Sequence, residues 1–355
     1  MHPSQQDLPA TLEEVHALEA RADRDAARRL RDLAAGPDKA VAKAARTALY
    51  RLRLKGIQPD ADQQSAHKQT PAHHSPPVIR AWITHPYASG RVFFLFLREG
   101  RIGEASFSVG VQGNLFGTAP EIAISRVRPR ALLADIARMA ERGQPQIAEV
   151  EPDIGRYLAH ELMRLAEERT GLIPKGWAEA CEVLGHVHKR YEKHPLYSTL
   201  NEETLRSDLS IGRNAAALFE LPSVSRWVLP PQQLQPWVER YVEAGTSRLA
   251  LNPSQILAQQ ERVLEQAIDA LAPPETRPGY RRILETAALV QLAAGNLDAA
   301  RRLGYQAVTL PFEGEAHLSP FLLELARHSV TQILRLMEQE QEEQESQPAS
   351  IIVRP

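Results

Sequence analysis

The sequence predicts a mainly α-helical protein with one small antiparallel α+β domain. Three observations point to this class. Residues 11–57 and 152–336 place apolar residues at helical spacing, with prolines near the boundaries of the runs. Residues 78–126 instead hold four short runs rich in β-branched and aromatic residues: "VIRAWIT", "RVFFLFL", "IGEASFSVGV" and "EIAIS". The connections between these runs are short, which favours an antiparallel meander over a parallel sheet.

Taken in order, residues 11–57 read as a helical arm of two or three helices. Leu12, Val15, Ala22, Ala26, Leu30 and Leu33 form one apolar stripe. Ala35-Gly36-Pro37-Asp38 interrupts it, with Gly36 suited to a helix end and Asp38 to the next N-cap. Val41, Ala45, Ala48, Leu49 and Leu52 make the stripe of the following helix. Residues 58–77 are polar and proline-rich without periodicity, the composition of a disordered linker. The α+β domain spans 78–143. Its turns are expected at 85–90, 99–101 and 110–118, and the helix "ALLADIARMAER" covers one face. Phe93, Leu95 and Leu97 face one side of their strand and Phe94 and Phe96 the other, so this strand is expected to be central. A multi-helical domain over 152–336 follows, with helices expected at 153–170, 174–191, 201–219, 231–244, 254–271, 277–294, 297–310 and 318–345. Residues 338–355 form an acidic tail with the composition of a disordered segment.

The totals narrow the functional classes. The chain has 355 residues, 43% of them apolar and 24% charged, which is ordinary globular usage and enough for real cores. Net charge is −2, so any basic binding site must be local. Cys181 is the single cysteine, which rules out an intramolecular disulfide and a multi-cysteine zinc site. The first residues, MHPSQQDLPATLEEVHAL, lack the basic start and apolar core of a signal peptide. No apolar run approaches the roughly 20 residues that cross a bilayer. A cytoplasmic, bacterial-type protein without membrane contact is the expectation.

Two stretches resemble known repeat families. Leu33, Asp38, Val41, Ala44-Ala45 and Ala48-Leu49 follow the pattern of one HEAT-type repeat, in which small Ala residues let stacked helices approach closely. By this resemblance the chain is similar to bacterial HEAT-repeat-containing proteins of undefined function. A lone repeat needs neighbours to cover its face. Thr286–Leu310 resembles a tetratricopeptide-type helical hairpin, with Ala288, Gly295, Leu297, Ala299-Ala300 and Ala307 at the small and apolar positions. Leu289 and Leu292 stand where that family carries aromatics. Both resemblances imply interaction surfaces rather than chemistry.

Candidate chemistry is sparse. "HELMR" (160–164) begins like the zinc-protease motif, but Arg164 stands where the second histidine belongs, and a guanidinium cannot ligate zinc. Cys181, His186, His188 and His194 cluster in sequence. On a helix, however, His186 and His188 point about 200° apart at about 100° per residue. "GVQGNLFG" (110–117) lacks the lysine of a phosphate loop and reads as a hairpin connection, with Leu115 and Phe116 expected at an exposed tip. Lys39, Lys43, Arg46, Tyr50 and Arg53 recur at steps of three and four, a basic ridge flanked by Arg51 and Lys55. Such a ridge can lie along a phosphate backbone. Phe219, Trp227, Trp237 and Tyr241 surround four prolines, and Trp227 and Trp237 are candidate partner anchors if exposed.

The sequence therefore favours a non-enzymatic interaction or scaffold protein that needs no cofactor or metal. Leu115, Phe116, Trp227 and Trp237 are its candidate contacts with a protein partner. One alternative is a nucleic-acid- or ribosome-associated accessory protein that uses Lys39, Lys43, Arg46, Arg51, Arg53 and Lys55. A second is an enzyme with a site between the sheet and the helical domain.

Overall fold

The computed structural model describes residues 12–36, 38–54, 57, 80–100, 104–118, 120–142, 146–185, 187, 189–212, 214–246 and 252–346. The expected linker, Lys55, His186, His188 and the end of the acidic tail lie outside them. The chain forms two compact units, Met1–His74 and Ser75–Pro355. Among the described residues it is mainly helical with one small antiparallel sheet, as the sequence predicts.

The first unit holds α1 (Leu12–Arg21), α2 (Arg24–Ala34) and α3 (Lys39–Leu54). The stripe predicted to run through Ala22 is interrupted there. Ala22 adopts φ +48° and the Asp23 carboxylate accepts the Ala26 N–H at 2.6 Å, so a tight turn and a new N-cap end α1. Asp38 caps α3, accepting from the N–H groups of Ala40 (2.8 Å) and Val41 (3.2 Å). The neighbours that cover α3 come from α1 and α2 of the same unit. Val15, Leu18, Leu30, Val41, Ala45 and Leu52 of the three helices bury against one another. Leu12, counted in the stripe, is 47% exposed.

In the second unit, β1 (Arg80–Thr84), β2 (Arg91–Arg98), β3 (Ser106–Asn114) and β4 (Glu121–Val127) form the expected meander. After α4 (Pro129–Glu141), a fifth strand β5 (Ile147–Val150) returns to pair with β1, giving the order β4-β3-β2-β1-β5. The sheet thus continues past the expected end at residue 143. Trp82 and Leu97 pack against Ile136 of α4 on one face. Val92, Phe94, Phe96, Val109 and Val111 are buried on the other, under α5 (Pro152–Thr170) and α6 (Trp177–Leu184). Strand β2 is central, as expected, although Phe93 and Leu95 are only half-buried.

The predicted loop at 110–117 is corrected. Gly110 and Gly113 lie within β3, opposite Leu95 and Val92, and only Leu115–Gly117 turn. These glycines serve close packing. A Cβ on Gly113 would fall 2.5 Å from Leu162 Cδ2 of α5, and one on Gly155 of α5 would fall 2.9 Å from Phe96 and Ala81.

The remaining helices are α7 (Glu202–Ser207), α8 (Leu209–Gly212), α9 (Pro231–Gly245), α10 (Pro253–Leu271), α11 (Arg277–Ala293), α12 (Leu297–Thr309) and α13 (Pro320–Ser346). Two expected helices are shorter. The one predicted over 174–191 stops at Leu184, where Gly185 turns away at φ +77°. The one predicted over 201–219 breaks at Asp208, whose carboxylate takes the Ser210 N–H at 3.2 Å in competition with the helix ladder. The hairpin α11–α12 turns at Gly295, φ +82°, where the sequence predicts it.

Helix α11 is buried along most of its length, and Gly279 lies against Phe116 from the β3–β4 turn. A methyl at 279 would sit 2.1 Å from Phe116 Cδ1. Gly279→Ala is expected to lower stability by about 1–3 kcal/mol, read as a lower urea midpoint at unchanged slope. An unchanged midpoint would show that the ring is free to move aside.

Candidate functional site

The structure separates the candidate residues into three groups. On α3, Lys39, Lys43, Arg46 and Arg53 are exposed and Tyr50 and Arg51 are half-buried. Arg51 Nη1 bonds Glu19 Oε1 at 2.9 Å and is thereby neutralised. Arg46 donates to the Ala34 carbonyl at 3.4 Å. Elsewhere in this unit arginines meet acids, as in Arg29–Glu14 (3.0 Å) and Arg21–Asp23 (3.0 Å). Lys39, Lys43 and Arg53 have no carboxylate partner among the described residues.

The aromatic and apolar candidates are mostly internal. Leu115 is 6% exposed, and Phe116 is half-buried with its ring edge-on to Tyr280, centroids 5.1 Å apart. This corrects the expectation of an exposed tip: the turn is drawn under α11 instead. Trp227 is 1% exposed, donates Nε1–H to the Pro86 carbonyl at 2.8 Å and meets Phe321 edge-on. It is a core residue of this chain and not an exposed anchor. Trp237 is half-buried, with the Arg240 guanidinium 4.9 Å from its ring.

The histidines and the cysteine also have local roles. His160 packs edge-on against Trp177 at 4.9 Å, and Arg164 pairs with Glu168 at 2.6 Å. Burial pushes the Cys181 thiol up to about 12, so the reactive thiolate is not formed at neutral pH. Among the described residues no three His, Cys, Asp or Glu side chains converge as a metal site requires.

One constellation was not anticipated. A cleft of about 460 Å³ is lined by Tyr157 and Glu161 of α5, by Lys193, His194, Tyr197 and Glu202, and by Arg281, Arg282 and Glu285 of α11. Glu285 accepts from Tyr197 Oη (2.8 Å) and Arg281 Nε (2.8 Å). Burial raises its carboxyl above the ordinary range, while those two donors act in the opposite direction. Glu202 accepts from Lys193 (2.6 Å) and Arg206 (3.2 Å), and the Lys193 bond holds its carboxyl below the ordinary range. Arg282 lies 3.8 Å from Glu161. Each carboxylate of this network is held by a cation, which suits it to fixing the 193–202 segment against α11. No sequence signal marks the cleft, because its parts lie up to 155 residues apart, from Tyr157 to Phe312.

His194 is the unusual member. The Leu196 N–H donates to its Nδ1 at 3.3 Å, so the proton of the neutral ring sits on Nε2. The ring keeps some exposed surface, yet Nε2 is sealed from solvent without a hydrogen-bond partner. His85 is a second sealed histidine. The Pro86 carbonyl can only accept, so Nδ1 at 3.1 Å carries the proton. No family model, curated protein or solved structure matches the chain.

Desolvation lowers both rings to about 4, with Glu161, Arg281 and Arg282 also acting on His194. The folded protein therefore refuses protons that the unfolded chain accepts below about pH 6.5. The stabilisation from neutral burial is present above that pH and is lost as pH falls through 4. Unfolding free energies from chemical denaturation should drop across this window, by up to about 3 kcal/mol for His85 and less for the partly exposed His194. The drop should shrink in His85→Gln, and an equal drop in that variant would assign the effect to other groups.

Proposed function

We propose that the chain is a non-enzymatic interaction protein whose helical surface receives a protein partner. One observation supports this most directly. Val242 of α9, Leu257 of α10, and Leu336 and Met337 of α13 are exposed by 41–65%. The three helices pack on one another, with Gln260 bonding the Tyr241 carbonyl and Arg327 bonding Glu261. These contacts join α9, α10 and α13 into one helical layer that carries the four exposed apolar side chains. Apolar side chains gathered on a helical surface are what a partner's apolar face covers. The resemblance of 33–56 and 286–310 to helical repeats agrees with this role.

Charged substitutions there, such as Leu257→Asp with Met337→Asp, should abolish co-purification of a defined partner from the native host while thermal unfolding is unchanged. Retention of that partner by the double variant would remove this surface from the account.

A second reading has its own support. Among the described residues Lys39, Lys43 and Arg53 on α3 have no carboxylate partner, whereas Arg21 and Arg29 of the same unit meet carboxylates. That pattern supports a phosphate-backbone contact of the kind a nucleic-acid- or ribosome-associated accessory protein would make. Binding of the full chain to RNA or duplex DNA should weaken steeply with salt, with Lys43→Glu/Arg46→Glu flattening the log–log slope by roughly two contacts. Absence of binding at low salt ends this reading. The enzyme alternative draws less support, since Glu161, Glu202 and Glu285 in the cleft are each held by a neighbouring cation.

A further inference from the structure

The two edges of the sheet are treated differently. Edge strand β5 buries Ala148 and Val150 and packs against α4 and α11. Just before it, the Gln146 side chain is bonded by Gln291 at 2.8 Å. Edge strand β4 is open. Helix α6 lies against one face of it, yet Ala123, Ile124, Ser125 and Arg126 are exposed in succession and its outer edge is uncovered by any described element. Apart from its ladder with β3, no backbone group of Glu121–Val127 is hydrogen-bonded by another described residue. Alternate residues of an edge strand turn their N–H and C=O outward, which is a template for a further strand.

Proteins commonly blunt such an edge with lysine, proline or a bulge. The sequence of β4, EIAISRV, has neither lysine nor proline, and its seven residues pair with β3 without interruption. Its one cation lies across the β3 strand, with the exposed Arg126 guanidinium 5.9 Å from the Phe107 ring. The open centre, Ile122–Ser125, is uncharged and includes two β-branched residues, which favours strand pairing.

We infer that β4 pairs antiparallel with β4 of a second copy of this chain, about a two-fold axis through Ile124. The side chains complement themselves in this register. Ile124 meets Ile124, Ala123 meets Ser125, Ile122 meets Arg126, and Glu121 meets Val127. No like charges stand opposite one another, and the apolar pair lies at the centre. The contact is isologous and closes at two copies, joining the two five-stranded sheets into one of ten strands. Because the partner is the chain itself, this pairing is independent of the surface on α9, α10 and α13.

Sedimentation velocity of the full chain, from low to high micromolar, should show a concentration-dependent dimer. Ile124→Lys should shift it to monomer with an unchanged circular dichroism spectrum and unfolding midpoint, since residue 124 is already exposed. Ile124→Cys should form a disulfide-linked dimer on oxidation, because the axis sets residue 124 against itself. Glu121→Cys, facing Val127 of the other copy, should not, and neither should the wild-type chain with Cys181 alone. A monomer throughout the range, a dimer indifferent to Ile124→Lys, or equal cross-linking through residue 121 would each overturn the pairing. So would an edge that takes up only an extended peptide of another protein.

Discussion

The close seating of α5 on the sheet sets the rest of the larger unit. Leu162 reaches into space that a side chain at 113 would fill, and Phe96 does the same at Gly155. The helix thus approaches the strands at a distance that only glycine permits, and the apolar face of β2 and β3 is sealed by contact rather than by bulk. The β3–β4 turn then lies beside α5, where a Cβ on Gly117 would fall 3.0 Å from the Leu165 carbonyl. From there Phe116 projects onto Gly279 of α11. Sheet, covering helix and central helix are joined by a sequence of such glycine notches.

Polar groups fix what the apolar contacts bring together. The Pro86 carbonyl receives hydrogen bonds from Trp227 Nε1 and from His85 Nδ1. Gln291 on α11 reaches Gln146 Oε1 and Ser223 Oγ, each at 2.8 Å, and is itself bonded by Asn296. Arg277 is 2% exposed and donates to the carbonyls of Ala272, Pro311 and Gly314 at 3.0, 3.5 and 2.7 Å. Unmet buried donors are costly, so these bonds select one arrangement of loops and helices over other compact ones.

Periodicity and punctuation made much of the fold legible. The four strands of the meander, the α11–α12 hairpin and the Asp38 cap each rest on a local signal a few residues long. Misreadings arose where a residue's role depended on distant partners. Gly110 and Gly113 read as a loop because glycine usually marks one, whereas their reasons are Phe93 and Leu162. Leu115 and Phe116 read as an exposed tip because nothing nearby announces Gly279. Strand β5, at four residues, is too short to carry a period. The α3 ridge was legible because a helix alone sets which side chains share a face. The cleft at Glu202 and Glu285 was not, since folding alone brings its three segments together.

The spacing of these bonds along the chain has a consequence for synthesis. In the first unit Arg51 is tied to Glu19 across 32 residues, and the three helices hold their core within some forty. The second unit joins residues 141 apart at Trp227–Pro86, 145 apart at Gln291–Gln146, and 103 apart at His328–Ser225. Local contacts form quickly and distant ones slowly, because loop closure must come first. A nascent chain leaving the ribosome can complete its amino-terminal helices early. Its meander can pair locally, but the β5 side of the sheet stays uncovered until α11 emerges more than a hundred residues later. The stretch from β1 to α10 is therefore the part of the chain with most to gain from a chaperone.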